Sequence, residues 1–229
     1  MPLLSPILYE DRDILLCRKE AGIPSCPDPS GRADLLSVLV ERHPTAKLVH
    51  RLDTQTGGVM VFGLTSAATA RLCALVQDHE RFCKEYLAVV PAPLPTPAHA
   101  LKSYLYHDKQ KNKTFEVDTP RKGVKEARLT YRTIVTAENG RTLILVRLQT
   151  GRTHQIRAQF ASIAFPLIGD GKYGSRERCP NIGLWAYRLT FPHPMTGQKI
   201  SVEALPDAAV SPWNDFADVL QTPIPHHFS

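Results

Sequence analysis

An acid, a guanidinium and a glycine pair lie close together near position 53. The stretch 48–65, LVHRLDTQTGGVMVFGLT, places Asp53 two residues after Arg51 and shortly before Gly57 and Gly58, between two apolar runs. A carboxylate at a strand end is most often a turn former or a surface acid. Here the glycines let a backbone or a ligand approach closely, and an arginine within hydrogen-bonding reach would keep the acid ionised. Arg51 shares a face with Asp53 only if the strand persists, so a turn and a functional acid both stay open.

A second charged cluster lies in TGRTHQIRAQF, residues 150–160, at an expected strand-to-helix corner. Arg152, His154 and Arg157 fall near the start of that helix, where the helix dipole makes cations mildly unfavourable. Basic residues are also common on solvated helix surfaces. Three cations at such a position indicate an anion to be met, either an RNA phosphate or a protein carboxylate.

Tyr86 is a further candidate, in the expected strand KEYLAVV. A tyrosine in a strand is usually part of the core, with its hydroxyl bonded to a partner. The alternative is a ring that stacks on a nucleic-acid base. The strand alone does not distinguish the two.

Positive charge is the main signal in the composition. The formal net charge is +6 and the sequence pI is about 9.1, a balance that attracts polyanions such as nucleic acid. Part of this charge lies in the polar segment 102–125, which contains Lys109, Lys111 and Lys113. We interpret this segment as a mobile arm.

The rest of the composition is that of an ordinary globular protein. The chain has 229 residues, 43% hydrophobic and 22% charged, which is enough for one large domain with a sizeable core. The five cysteines are scattered without a CxxC pair, so we expect reduced thiols rather than a disulfide framework or a zinc site. No apolar run approaches the roughly 20 residues of a membrane span, and Met1–Glu10 lacks a secretory signal. A cytoplasmic protein is expected.

Several helices and strands follow from hydrophobic periodicity and turn residues. Asn139-Gly140 between 128–136 and 141–149 predicts a hairpin with a primed turn. The four prolines of 91–100 predict an irregular connection there. The expected helices are 33–42, 66–80 with Thr65 as N-cap, and 153–163; the expected strands are 7–17, 48–50, 59–64, 84–90, 128–136, 141–149, 184–190 and 199–204.

This order of elements predicts the α+β class, with a mixed, largely antiparallel sheet and flanking helices. A doubly wound nucleotide-binding fold is not expected. No GxGxxG follows a strand, and no GxxxxGK[ST] loop is present to hold phosphates.

Six ordered motifs give the chain a family resemblance. HRLD (50–53) with the following TxxGG, KEYLA, TGRTHQIR, LIGDGKYG and LWAYRLTFPHPMTG, together with the opening ILYEDRDILLCRKEAGIP, resemble the RluA-type pseudouridine synthases over residues 7–206. The sequence departs from the family pattern at Glu20, where a proline is usual, and at Trp185, where a histidine is usual. Many members also carry a small N-terminal RNA-binding domain, and none is expected here.

The resemblance implies an isomerase that converts a uridine of rRNA or tRNA to pseudouridine without cofactor or metal. It implies that Asp53 is the catalytic carboxylate, that Tyr86 lies against the target base, and that Arg157 pairs with the aspartate. We hypothesise that Arg157 keeps Asp53 ionised in a partly dry pocket. The resemblance also implies a central RNA-binding cleft in one catalytic domain, 1–229, with a core at 7–206 and an extension at 207–229.

The remaining candidate residues are assigned to RNA. Leu184 and Trp185 are placed beside the base. RNA binding is assigned to His50, Arg51, Arg152, His154, Lys109, Lys111 and Lys113. Of these, Arg51 and Arg152 are expected chiefly to meet the RNA backbone. A monomer without an obligate protein partner and without a membrane association is expected.

Two other functions remain open on the sequence. One is a non-catalytic RNA-binding or RNA-folding protein on the same scaffold, against which the intact set of Asp53, Tyr86 and Arg157 argues. The other is a metal-dependent phosphodiesterase using His50, Asp53 and His154. Such an enzyme would need a cluster of carboxylates to bind a hard cation, and the sequence contains no such cluster.

Overall fold

The computed structural model describes residues 6–29, 31–221 and 224. These form two compact units, the first from Met1–Lys84 with Trp185–Leu205 and the second from Glu85–Leu184 with Pro206–Ser229. Part of the predicted C-terminal extension, 222–223 and 225–229, lies outside the described residues. The prediction of a single catalytic domain stays a prediction.

Eleven strands and three α-helices are formed by the part of the chain that the structure describes. The strands are β1 (Ile7–Glu10), β2 (Ile14–Lys19), β3 (Lys47–Leu48), β4 (Gly57–Gly63), β5 (Cys83–Val90), β6 (Ala98–Asp108), β7 (Lys113–Val117), β8 (Val124–Thr136), β9 (Thr142–Leu148), β10 (Leu184–Pro192) and β11 (Lys199–Glu203). The helices are α1 (Leu35–Arg42), α2 (Ser66–Leu75) and α3 (Gln155–Ser162).

The first unit is built on a mixed sheet in the order β1-β2-β4-β10, with β3 beside β4 and β11 beside β10. The pairs β1–β2, β2–β4, β3–β4 and β10–β11 are antiparallel, whereas β4 and β10 are parallel. Every residue of β4 is buried, as its continuous apolar sequence requires. Val59 and Val61 of β4 pack with Leu72 of α2 and with Phe82 and Phe191.

Short polar side chains set the ends of elements in the first unit. Asp34 and Thr65 cap α1 and α2 by accepting backbone N–H groups three residues on. The predicted strand 7–17 is wrong as one strand, because Asp11 accepts the N–H groups of Asp13 and Ile14 and turns the chain between β1 and β2. The predicted helix to residue 80 ends at Leu75, since Asp78 forms a turn there.

The second unit contains the strand order β5-β9-β8-β6-β7. The pairs β6–β7, β6–β8 and β8–β9 are antiparallel, and α3 contacts β6 and β7. With the mixed sheet of the first unit and the flanking helices, this confirms the predicted α+β class. None of the described helices is long and apolar enough to cross a membrane.

The predicted β8–β9 hairpin is confirmed, but its primed turn is wrong. Gly140 N–H donates to Ala137 O at 2.9 Å, and Ala137 N–H donates to Arg141 O at 2.8 Å. The positive φ falls on Gly140 (+86°), whereas a primed type I turn needs one at both central residues. The loop therefore has three residues, with glycine at the left-handed position that closes it.

The predicted mobile arm at 102–125 is also wrong. Most of this segment belongs to β6, β7 and the start of β8, with Tyr106 paired to Phe115 and to Val124. Leu105 gives the strands a buried face, because it packs with Ala127, Ala158 and Tyr173. The segment was predicted to be mobile because of its basic composition, and the alternation of buried and exposed residues was not recognised. The irregular connection expected at 91–100 gives way to β6 at Ala98.

The glycine pair of β4 permits a close approach of β10. A Cβ at Gly57 would lie 2.2 Å from the Trp185 ring, and one at Gly58, where φ is +123°, would lie 2.1 Å from the carbonyl oxygen of Ala186. The parallel pairing of Trp185 with Gly57 and of Ala186 with Gly58 explains both contacts. The glycines therefore bring one backbone close to another, one of the two uses that the sequence left open.

Gly58→Ala is expected to destabilise the protein by about 3 kcal/mol, because the new methyl must displace backbone and the residue keeps a left-handed φ. Urea unfolding measures the change. Gly140→Ala is the matched control: its φ is also positive, but nothing lies within 4 Å of the added Cβ, so a loss of about 1 kcal/mol is expected. Equal losses for the two variants would contradict the steric explanation.

Candidate active site

Asp53 lies in a turn between β3 and β4. Its carbonyl oxygen accepts the N–H of Thr56 at 3.0 Å, and its side chain is partly exposed. Leu52, just before it, is buried and its backbone N–H and carbonyl both bond to the hydroxyl of Ser25. The buried neighbour fixes the backbone while the carboxylate keeps access to solvent, an arrangement suited to an acid that meets a ligand.

A buried lysine supports this turn from β2. Lys19 is fully buried, and its Nζ donates to the carbonyl oxygens of Ile23 at 2.7 Å, Glu20 at 3.1 Å and Thr54 at 3.2 Å. Burial lowers the pKa of Lys19 to about 7, while the negative charges of Asp53 and Glu20 act to raise it. The ammonium is thus near enough to Asp53 for their charges to interact, and it ties the loop after β2 to the residue that follows Asp53.

Lys19 makes the stability of the protein depend on pH. Unfolded, this lysine holds its proton up to its ordinary pKa of 10.5, whereas the folded protein releases it at about 7. Between these values the unfolded state binds more protons, so the free energy of unfolding rises with pH. We expect the stability of the wild type relative to Lys19→Met to rise by about 3 kcal/mol between pH 7 and pH 10.

Chemical unfolding at a series of pH values measures this difference. Lys47→Met, which removes an exposed lysine from β3, is the control. A Lys19→Met difference that stays constant from pH 7 to pH 10 would contradict a buried ammonium that loses its proton in this range.

His50 is held in the structure as a neutral ring. Its Nε2 accepts the backbone N–H of Val61 at 3.2 Å. Burial, assisted by the charge of Lys84, lowers the pKa of His50 to about 3. The ring is therefore uncharged at neutral pH, and contact of His50 with RNA stays a prediction. Arg51 is exposed.

Lys84 is a buried cation that the sequence analysis did not single out. It is 7% exposed, its Nζ lies 5.3 Å from the centroid of the Phe82 ring, and burial lowers the pKa of Lys84 to about 8. The alternation of β5 could have indicated that one of Lys84 and Glu85 points inward. In fact both are buried, since Glu85 is 4% exposed and pairs with Arg147 at 2.7 Å.

Trp185 and Leu184, predicted beside the base, are both 5% exposed. The indole of Trp185 covers Gly57, and its Nε1 donates to the carbonyl oxygen of Ala204 at 2.7 Å. The tryptophan that replaces the family's usual histidine is therefore built into the sheet of the first unit. Contact of either residue with a base stays a prediction.

Arg157 is held by a carboxylate that the sequence analysis missed. Its Nε and Nη2 donate to the two oxygens of Asp170 at 2.7 and 2.8 Å, and both side chains are almost fully buried. The guanidinium also lies 5.0 Å from the centroid of the Tyr173 ring. Although basic residues are common on solvated helix surfaces, all of 155–160, Arg157 included, is buried. An acid between two glycines, in the motif LIGDGKYG, was the available signal for Asp170.

Tyr173 connects this ion pair to the start of α3. Its hydroxyl accepts the backbone N–H of Thr114 at 2.8 Å and lies 3.0 Å from Nδ1 of His154. Burial is the main cause that raises the pKa of Tyr173. His154 has a left-handed φ of 52° at the N-cap of α3. Of the two kinds of anion that the sequence left open for the cluster, a protein carboxylate, that of Asp170, meets Arg157.

Among the other predicted residues, Lys113 also approaches this network, because its Nζ lies 5.2 Å from the centroid of the Tyr173 ring. Arg152 is partly exposed and its Nε donates to the carbonyl oxygen of Glu126 at 3.0 Å. Tyr86 is 9% exposed in the middle of β5. Lys109 and Lys111 are exposed in the turn between β6 and β7, and Lys113 begins β7.

Asp53 belongs to the first unit, and Tyr86 and Arg157 belong to the second. The predicted pairing of Asp53 with Arg157 therefore stays a prediction. Within the described ranges, no group of three or more His, Cys, Asp or Glu side chains is placed to hold a metal ion.

The chain is similar to known proteins of one family. A family model described as RNA pseudouridylate synthase matches residues 13–162. Ribosomal large subunit pseudouridine synthase D of Vibrio cholerae is 34% identical over 230 residues, covering 89% of this chain and 68% of that protein. Dual-specificity RNA pseudouridine synthase RluA of Escherichia coli is 31% identical over 211 residues, covering 88% of this chain and 93% of that protein.

The solved structure of human RNA Pseudouridylate Synthase Domain Containing 1 has the same fold, with a TM-score of 0.74 at 21% identity over 97% of both chains. The chain spans 65% of the length of the Xylella fastidiosa synthase D, which it matches at 32% identity. The family match over residues 13–162 and the identity to the two bacterial synthases show that this chain belongs to the RNA pseudouridylate synthase family.

Proposed function

We propose that this protein converts a uridine of RNA to pseudouridine and that Asp53 is its catalytic carboxylate. The observation that carries the proposal is the placement of Asp53 in a member of this family. Its side chain reaches solvent from a turn that is fixed on one side by buried Leu52 and on the other by the ammonium of Lys19. A partly exposed acid in such a turn can meet a base without reorganisation of the fold.

The proposed reaction detaches the uracil from its ribose nitrogen link, turns it, and rejoins it through a ring carbon. It is an isomerisation, so it consumes no electrons and needs no oxidant or reductant. Asp53 acts in its ionised form, as nucleophile or as base. Lys19 holds the turn of Asp53 through its hydrogen bond to the carbonyl oxygen of Thr54, and its protonated form interacts with the charge of Asp53.

The second unit supplies the other proposed groups. Tyr86, mostly buried in β5, presents its ring to the target base. Arg157 supports the charge of Asp53, with its guanidinium held in orientation by the two hydrogen bonds to Asp170. Arg51 and Arg152 meet RNA phosphates. Extruding a uridine from a stack costs a few kcal/mol, and such phosphate contacts offset the cost.

We propose rRNA or tRNA as the substrate. The names of two relatives support an RNA substrate, since one is called a ribosomal large subunit pseudouridine synthase and another a dual-specificity RNA pseudouridine synthase. We further propose that the protein acts as a monomeric single-domain enzyme in the cytoplasm, without an obligate protein partner. Analytical ultracentrifugation tests the monomer directly.

Mapping pseudouridine across total RNA tests the function and finds the target. RNA is compared from cells with the gene, without it, and with the deletion complemented by wild type or by Asp53→Asn. If the proposal is correct, pseudouridine at one or more positions should be lost when the gene is deleted and should be restored only by the wild-type protein. A position restored equally by Asp53→Asn would refute Asp53 as the catalytic residue, and an unchanged map would refute the proposed reaction.

A further inference from the structure

The β6–β7 hairpin exposes aromatic rings on one face. Tyr106 and Phe115 lie directly opposite each other in the pairing, so their side chains emerge on the same side. Each is 37% exposed, and they are the two exposed large aromatic residues among the described ranges. We call the face that carries Tyr106 and Phe115 the outer face of the hairpin.

The inner face of the same hairpin is already occupied. Leu105 packs with Ala127 and Ala158 in a buried cluster, and its strand neighbour Glu116 accepts a hydrogen bond from the hydroxyl of Ser162 at 2.6 Å. The inner face therefore lies against α3. Core packing accounts for the inner residues and leaves the two outer rings without a role in the fold.

Cations surround the two outer rings. The Nζ atoms of Lys113 and Lys111 lie 5.5 and 6.0 Å from the centroid of Phe115, and the guanidinium carbon of Arg121 lies 6.0 Å from that of Tyr106. These distances are near the outer limit of a cation–π contact. Lys111, Lys113 and Arg121 thus place positive charge beside the two rings, and this charge favours an anionic partner.

From this combination we infer that the outer face of the β6–β7 hairpin binds unpaired nucleotides of RNA, with bases stacked on Tyr106 and Phe115 and phosphates on Lys111, Lys113 and Arg121. Aromatic rings on adjacent strands are the arrangement by which sheets stack successive bases. Bases inside a paired A-form helix are shielded from such rings. Lysine is depleted at the centre of protein–protein interfaces, so a second protein fits this face less well.

The inference rests on the proposed function in taking RNA as the ligand, and it adds a binding site away from Asp53. Such a site would engage a single-stranded stretch of the substrate. It would therefore contribute to the choice of target through RNA secondary structure, since stacking itself is tolerant of sequence.

Fluorescence anisotropy with a labelled single-stranded RNA of mixed sequence tests the inference. All proteins carry Asp53→Asn, so turnover does not enter the measurement. Tyr106→Thr/Phe115→Thr, which keeps good strand formers in place, is expected to weaken binding about ten-fold or more. Because the two rings are uncharged, this variant should show the same slope of log affinity against log salt concentration as the parent protein. The variant Lys111→Gln/Lys113→Gln should show a smaller slope.

Matched variants separate stacking from general damage. Val40→Thr removes another exposed apolar side chain, on α1, and should leave affinity unchanged. Tyr106→Phe and Phe115→Tyr keep the rings and should bind as the parent does. Circular dichroism and thermal unfolding check the fold of each variant. If the double threonine variant unfolds early, Tyr106→Thr and Phe115→Thr singly are each expected to lose part of the affinity.

Three results would overturn the inference. They are an unchanged affinity of the threonine variants, an equal loss for fully paired RNA, and a dimer that the threonine variants convert to monomer without change in RNA affinity. The last would assign the outer face to a second copy of the chain. Failure of wild type to form pseudouridine would refute the proposed function instead, and these binding measurements would stand independently of it.

Discussion

Asp53→Asn is expected to abolish pseudouridine formation, with kcat reduced by at least about 10³-fold. The amide has the shape of the carboxylate but can act neither as nucleophile nor as base. Since the side chain is partly exposed and the turn is held by backbone contacts, the free energy of unfolding should change by less than about 1 kcal/mol. Single-turnover assays on the mapped RNA measure the rate, and anisotropy shows that RNA still binds.

Asp78→Asn provides the control for this prediction. Asp78 is another partly exposed acid in a turn of the first unit, where it accepts the N–H groups of Glu80 and Arg81. The same chemical change there should leave kcat within about two-fold of the wild type. If both variants lose activity equally, or if Asp53→Asn turns over at near the wild-type rate, Asp53 is not the reacting group.

Local patterns predicted the elements around the site well. The N-cap Thr65, the hairpin at Gly140 and the buried strand β4 each follow from interactions between residues near in sequence. Ordered motifs likewise placed Asp53 at the break between two strands. Where a predicted element depended only on residues near in sequence, the structure differed from the prediction mainly in the positions at which the element begins or ends.

The supporting residues of the site could not be predicted in this way. Lys19 contacts the turn of Asp53 from 35 residues away in sequence, and Asp170 binds Arg157 from a loop that follows α3. Both are charged residues that would be expected on the surface by composition. Lys19 and Asp170 are buried because the fold brings partners to them from distant parts of the sequence. The hydrophobic periodicity of the sequence does not indicate which residues those partners are.

The hairpin at 102–125 illustrates the opposite error. Its lysines suggested a solvated, mobile segment, yet alternate positions such as Leu105 meet α3 and order the strands. Because one face of an edge hairpin can remain polar, basic composition and strand structure are compatible. An alternation of inward-facing and outward-facing positions was therefore present in this segment, despite its many charged residues.

Asp170→Ala is expected to have the largest effect on stability, a loss of about 4 kcal/mol in the free energy of unfolding. The change removes two charge-assisted hydrogen bonds from Arg157, a residue that is 6% exposed. Breaking one side of a buried ion pair typically costs roughly 3–5 kcal/mol. Asp170→Asn keeps one acceptor oxygen and should lose about half as much. Urea unfolding of the three proteins measures these differences.

Glu177→Gln is the control for ion pairing as such. Glu177 pairs with Arg141, but both side chains are far more exposed, at 37% and 22%, so a loss below about 1 kcal/mol is expected. The activity of Asp170→Asn adds a test of function. If Asp170 holds Arg157 in the orientation that the proposed reaction needs, the kcat of Asp170→Asn should fall by more than its unfolded fraction explains. A stability loss for Asp170→Ala no larger than that for Glu177→Gln would contradict the buried pair, because the penalty arises from taking the cation out of water.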